Sequence, residues 1–133
     1  MKRILLDTNF LLIPYQFHVD IFSEIERICN FNHELYVLDK TIDELKKIIG
    51  EQKGKHKEAA KIALQLLKIK NVGIIKTSSE KYTDDIILDY AKKGCLVATQ
   101  DKDLKRKLIN HGIGVIVLRK KKFLTIANER GFA

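Results

Sequence analysis

Four stretches of the chain place carboxylates where one kind of element gives way to another: Asp7, Glu44, the neighbours Asp84 and Asp85, and Asp101 with Asp103. Asp7 comes directly after Ile4, Leu5 and Leu6, an apolar run without alternation that reads as a strand buried on both faces. A carboxylate at the end of such a strand is costly unless a cation or hydrogen-bond donors meet it. The other acids each have a plainer use, since acids in the first turn of a helix cap free N–H groups and complement the macrodipole. Capping accounts for Glu44 or Asp101 singly; it accounts poorly for the adjacent pair at 84 and 85, and for all four stretches at once. Carboxylates that converge raise one another's pKa unless a cation sits among them. Oxygen donors without His or Cys suit a hard divalent ion, Mg²⁺ or Mn²⁺, better than zinc. Such an ion on a basic protein points to phosphodiester chemistry, with water activated as nucleophile and the leaving oxygen stabilised.

The elements that must position these acids can be read from periodicity. Apolar runs at 4–6, 35–38, 73–76, 95–99 and 115–118 predict five strands. Phe10 to Ile13, ending at Pro14, fits a short turn. Between the strands, apolar residues at helical spacing predict helices after Asp20, over 42–49, over 58–69, from about Thr83 and after Asp101. Thr41 and Glu44 have capping-box spacing, and Gly50, Gly94 and Gly112 are candidate stops. Strand and helix in alternation predict an α/β fold, a mainly parallel sheet of about five strands between two helical layers. In such sheets ligands bind at the carboxyl ends of the strands, the edge where all these acids would stand. Residues 1–133 read as a single domain with a short basic C-terminal tail and no linker or repeat.

Lys and Arg number 25 against 17 Asp and Glu, a formal charge of +8, which favours a polyanionic partner over generic solubility alone. Lys105, Arg106 and Lys107 lie beside the last acids, and Arg119, Lys120, Lys121 and Lys122 form the densest run; both groups are candidates for gripping a phosphate backbone. The lysines at 53–57 read equally well as a solvated face. Tyr15, Phe17 and Tyr82 could stack on bases, although packing is the simpler reading for each. His18, His33, His56 and His111 have no ligand spacing. Cys29 and Cys95 are far apart and outside any CxxC pair, which argues against zinc or a disulfide framework and fits a reducing, cytoplasmic setting. No apolar run reaches membrane-spanning length, and the start of the chain does not resemble a signal peptide.

Asp7-Thr8-Asn9, Ile42-Asp43-Glu44-Leu45, Thr83-Asp84-Asp85-Ile86-Ile87 and Ala98-Thr99-Gln100-Asp101-Lys102-Asp103-Leu104 resemble, in order and interval, the PIN domain family. The resemblance implies a PIN-like three-layer α/β/α fold and metal-dependent endoribonuclease activity on single-stranded or structured RNA. Its acidic quartet falls on Asp7, Glu44, Asp84 and Asp101, which with Asp103 would hold Mg²⁺ or Mn²⁺. Thr8, Asn9, Asp85 and Thr99 would support those carboxylates. Residues 96–108 and 118–123 look most like the archaeal and eukaryotic PIN proteins of rRNA processing, so the implied substrate is ribosomal RNA or its precursor. They look less like the toxins of VapBC toxin–antitoxin pairs, where an aromatic often follows the last acids. No zinc ribbon of the kind some ribosome-maturation relatives append is present. RNA would therefore be recognised by the body and its basic ends, or through a partner, and the helix at 59–67 could supply a dimer face. The rival readings are a toxin-type ribonuclease, an RNA-binding assembly module that does not cut, and a response-regulator-like signalling domain.

Overall fold

The structure, a computed structural model, describes residues 1–78 and 81–127. Part of the polar connection after β3, at 79–80, and the end of the tail, 128–133, lie outside the described residues. β1 (Lys2–Leu6) leads through a 3-10 turn at Phe10–Leu12 into α1 (Ile13–Phe17) and α2 (Ile21–Ile28). β2 (His33–Leu38) leads into α3 (Asp39–Glu51) and α4 (Lys55–Ile69), β3 (Gly73–Ile75) into α5 (Thr83–Lys92), and β4 (Leu96–Ala98) into α6 (Lys102–Asn110). β5 (Val115–Arg119) turns back into β6 (Phe123–Ala127). The six strands form one sheet in the order β3-β2-β1-β4-β5-β6, parallel throughout except for the β5–β6 pair.

The buried strands split their side chains between two cores, as period-two geometry requires. Ile4 and Leu6 pack with Ile25, Leu45 and Ala63, under the layer of α1 to α4. Leu5 packs with Ile87, Leu104 and Leu108, under α5 and α6. This gives the three-layer α/β/α arrangement expected from the alternation. It also locates the place where the winding reverses. β1 sends its chain to the first helical layer and toward β2, and its neighbour β4 sends its chain to the other layer and toward β5. Crevices in open α/β sheets form at such a switch point, and Asp7 and Asp101 flank this one.

Several elements differ from the sequence reading, each for a local reason. α3 starts at Asp39, three residues before the expected start, and runs through Gly50. The break comes instead at Gly54, whose left-handed φ of 68° turns the chain into α4, which begins at Lys55. Pro14 sits at the second position of α1, where its missing N–H costs nothing. The apolar stretch from Phe123 is a sixth strand, covering the outer edge of β5. α4 turns Ala59, Ala60, Ala63 and Leu67 into the core, leaves Ile62 and Leu66 half-buried, and exposes Ile69. Among the described residues no helix is long and apolar enough to cross a membrane.

Candidate active site

Asp7 is fixed by the sheet before its side chain is considered. Its backbone N–H donates to the Ala98 carbonyl at 2.9 Å, extending the β1–β4 pairing to the strand ends. Its Oδ1 accepts the Thr8 N–H at 2.9 Å, and its Oδ2 accepts the Thr99 hydroxyl at 2.7 Å. The same Thr99 oxygen accepts the Asp101 N–H at 3.0 Å, so one hydroxyl ties together the two acids of the switch point. Thr99 is only 1% exposed and Asp7 8%. Asn9, on the loop after β1, is clamped from β4: Gln100 donates its N–H to Asn9 Oδ1 at 3.2 Å and its amide to the Asn9 carbonyl at 2.8 Å.

Burial, the largest influence, pushes the Asp7 carboxyl up to about 6. The hydrogen bonds from Thr99 and Thr8 resist that rise, while the charges of Asp84 and Glu44 add to it. Asp84 is raised as well, first by desolvation and then by Asp101; Lys107 opposes this, and Asp85 and Asp103 contribute smaller repulsion. The four predicted acids thus feel one another's charge across separations of tens of residues in the chain.

They are not held alike. Asp101 caps α6, its Oδ1 accepting the N–H groups of Asp103 and Leu104 at 2.9 and 3.1 Å. Its ordinary structural use is therefore real, and Oδ2 takes no part in it. Glu44 loses the capping explanation, because α3 starts at Asp39 and places Glu44 in its second turn. Its one hydrogen-bond partner among the described residues is the Thr83 hydroxyl, at a long 3.4 Å. Asp84 stands in the first turn of α5, and no donor among the described residues meets its carboxylate. Asp85 is exposed, and the Asp103 side chain, 83% exposed, stands 3.7 Å from Arg106. These two act on the others only through charge.

Several residues matter more than their sequence context suggested. Thr41, expected as a cap, is buried inside α3 and receives the Thr8 hydroxyl at 3.2 Å, fixing α3 to the Asp7 loop. Asp39 accepts the N–H and hydroxyl of Thr77 at 3.0 and 2.7 Å, joining the ends of β2 and β3. Gln100 and Thr83 complete the set. The signal for Thr41 was available, since it lies four residues before the buried Leu45 on the same helix face. Of the basic candidates, Lys105 is half-buried, while Arg106, Lys107, Arg119, Lys120, Lys121 and Lys122 are exposed. Lys120 and Lys121 form the β5–β6 turn with left-handed φ values of 52° and 55°. Tyr82, at the start of α5, is 85% exposed.

The predicted donors are carboxylate oxygens, the kind a hard divalent cation takes, and Asp7 is raised by burial first and then by the charges of Asp84 and Glu44. The spacing is looser than a closed cage, since among the described residues no three His, Cys, Asp or Glu side chains stand within ligating reach of a common point.

A sequence profile described as a PIN-like domain matches residues 4–121. The chain is 38% identical over 128 residues to Ribonuclease VapC4 of Methanocaldococcus jannaschii, covering 95% of this chain and 97% of that protein. It is 33% identical over 118 residues to Ribonuclease VapC9 of Archaeoglobus fulgidus, covering 87% and 82%. Among solved structures, the PIN domain endonuclease Utp24 superposes with a TM-score of 0.75 at 22% identity, covering 95% of this chain and 91% of that one. A domain of a functionally unknown protein from Methanocaldococcus jannaschii superposes with a TM-score of 0.61 at 16% identity, covering 90% and 92%. The two superpositions establish a shared fold.

Proposed function

The chain belongs to the PIN-like domain family, and from that premise we propose that it is a divalent-cation-dependent endoribonuclease. One observation carries the reading: a buried carboxylate, Asp7, is held by Thr8 and Thr99 against the charges of Glu44 and Asp84, on a chain of net charge +8. Asp7, Glu44, Asp84 and Asp101 would hold one or two Mg²⁺ or Mn²⁺ ions, which when bound supply an activated water and counter-charge at the phosphate. Asp103, exposed at the rim, would add its charge to theirs. Thr99 orients Asp7, Thr8 and Asn9 hold the loop that carries it, and Asp85 deepens the negative potential. Lys105, Arg106, Lys107 and the run from Arg119 to Lys122 would hold the flanking phosphates, keeping a polyanion against acids that would otherwise repel it.

The likeness of residues 96–108 and 118–123 to the rRNA-processing type favours ribosomal RNA or its precursor as substrate. A second reading keeps the chemistry and changes the biology. The relatives named as VapC ribonucleases favour a toxin-type enzyme, restrained by a protein partner. Both readings make the same first demand. Incubated with total RNA and Mn²⁺, the wild-type protein should generate discrete new 5′ ends, and Asp7→Asn should not. Ends at the boundaries of mature rRNA within its precursor support processing, and ends in tRNA or inside mature rRNA the toxin reading. Equal cleavage by both proteins would remove the quartet from the chemistry.

A further inference from the structure

Two clefts meet at Phe17, the first beside the ends of β4 and β5 and the second between α1 and the start of α4. The first, about 300 Å³, is lined by Thr99, Lys102, Lys105, Lys120 and Lys121, with Phe17 at its side. The second, about 520 Å³, is lined by Tyr15, His18, Lys55 and His56, again with Phe17. Thr99 is the residue whose hydroxyl holds Asp7, so the first cleft lies next to that acid. No carboxylate lines either cleft, and none of the five lysines has an acidic partner among the described residues.

The lysines are also placed against local preference. Lys102 begins α6, where the helix dipole disfavours a cation. Lys120 and Lys121 occupy left-handed turn positions that Asn and Gly fill better. Phe17 ends α1, half-buried against the main core, and still presents surface to both clefts. An aromatic ring between a cleft of four lysines and one carrying Lys55 suits an unpaired strand: phosphates meet the lysines, and a base of any identity stacks on the ring. A duplex cannot use that ring, because its base faces are already stacked.

We propose that the two clefts form one track for single-stranded RNA, running from the acids past Phe17 to the start of α4, with Phe17 as its stacking platform. The proposal rests on the endoribonuclease reading and deepens it: the cut falls where the strand on the β5 side of the scissile bond is unpaired.

The test measures fluorescence anisotropy of a labelled single-stranded RNA and of a blunt duplex of equal length. It uses wild-type protein in EDTA, and the Asp7→Asn background as a second non-cleaving form. The single strand should bind more tightly than the duplex. Phe17→Leu, which keeps an apolar side chain against the core, should weaken single-strand binding about five- to tenfold. It should leave duplex binding unchanged and lower the melting temperature by only a few degrees, and Phe17→Trp should restore affinity. Replacing Lys120 and Lys121 with Gln should lower the slope of log affinity against log salt by about 1.4. Phe17→Leu binding the single strand as tightly as its parent, or a duplex binding as well as the single strand, would overturn the track. If the wild-type protein cleaves RNA with Mn²⁺ and those variants bind and cut undiminished, the track fails and the nuclease reading stands. If the wild-type protein neither binds nor cuts RNA, both fall.

Discussion

Asp7 and Asp101 belong to the sheet, whereas Glu44 and Asp84 belong to the helices, and the two pairs are held in different ways. Asp7 is locked by a backbone rung to β4, an N–H from Thr8 and the Thr99 hydroxyl, and Asp101 by two N–H groups of α6. Glu44 has one long hydrogen bond, and Asp84 has none among the described residues. The sheet-held pair is set in place by the fold. The helix-held pair has few such ties, and like charges without a counter-ion favour standing apart. The difference explains how four acids sense one another electrostatically while no three of them gather into a ligating group.

The largest effect should come from the locked pair. Asp7→Asn should reduce cleavage by at least about a hundredfold and, in EDTA at pH 7, raise the melting temperature. The sign follows from linkage. In the folded protein Asp7 ionises near pH 6 rather than 3.8, so the folded state binds more protons between those values and stability falls as pH rises through them. The loss reaches about 3 kcal/mol above pH 6. The variant removes that dependence, so its advantage should be present at pH 7 and absent near pH 4. The new amide is tolerable because the Thr99 hydroxyl can rotate to accept from it and donate to Asn9 Oδ1, 3.4 Å away. An Asp7→Asn protein less stable than wild type at pH 7 would mean that Asp7 is not strained by burial.

Thr99→Val keeps the shape and removes the hydroxyl. Activity should fall about 10- to 100-fold, stability by about 1–3 kcal/mol, and the acidic limb of the pH–rate profile should move to higher pH as Asp7 loses a bond that favours its charged form. Next come the helix-held acids. Adding Mn²⁺ should raise the wild-type melting temperature in a saturable way. Glu44→Gln and Asp84→Asn should need about tenfold more Mn²⁺ for the same rise, as expected when a supporting group rather than the anchor is lost. A Glu44→Gln protein as inert toward Mn²⁺ as Asp7→Asn would erase the distinction between the pairs. The smallest effect belongs to Asp103→Asn. Its exposed side chain reaches the other acids only through screened charge, so cleavage should stay within about twofold of wild type.

The positions of the acids were legible because continuous apolar strands mark their own ends: Ile4 to Leu6 points to Asp7, and Leu96 to Ala98 points to Asp101. The start of α3 was not. Thr41 and Glu44 imitate a capping box, and only tertiary contacts show that Thr41 is inside the helix, bonded to Thr8, while Asp39 binds Thr77 across β2 and β3. β6 was hidden for a related reason. Its turn is made of lysines where a hairpin normally announces itself with Asn or Gly, so Phe123 to Ala127 passed for a tail. Strand order could not be read at all, and that order puts Thr99 beside Asp7.

That adjacency has a kinetic consequence. The Thr99–Asp7 hydrogen bond spans 92 positions, and β4 enters the sheet on the side of β1 opposite β2 and β3. Contacts of such high sequence separation form late, after loop closure has been overcome. A chain emerging from its N-terminus can pair β1, β2 and β3 while Asp7 still lacks Thr99, Asp84 and Asp101. The acids therefore come together only when α5 and β4 join the sheet beside β1, and a nascent chain lacks the full set until Asp101 has emerged.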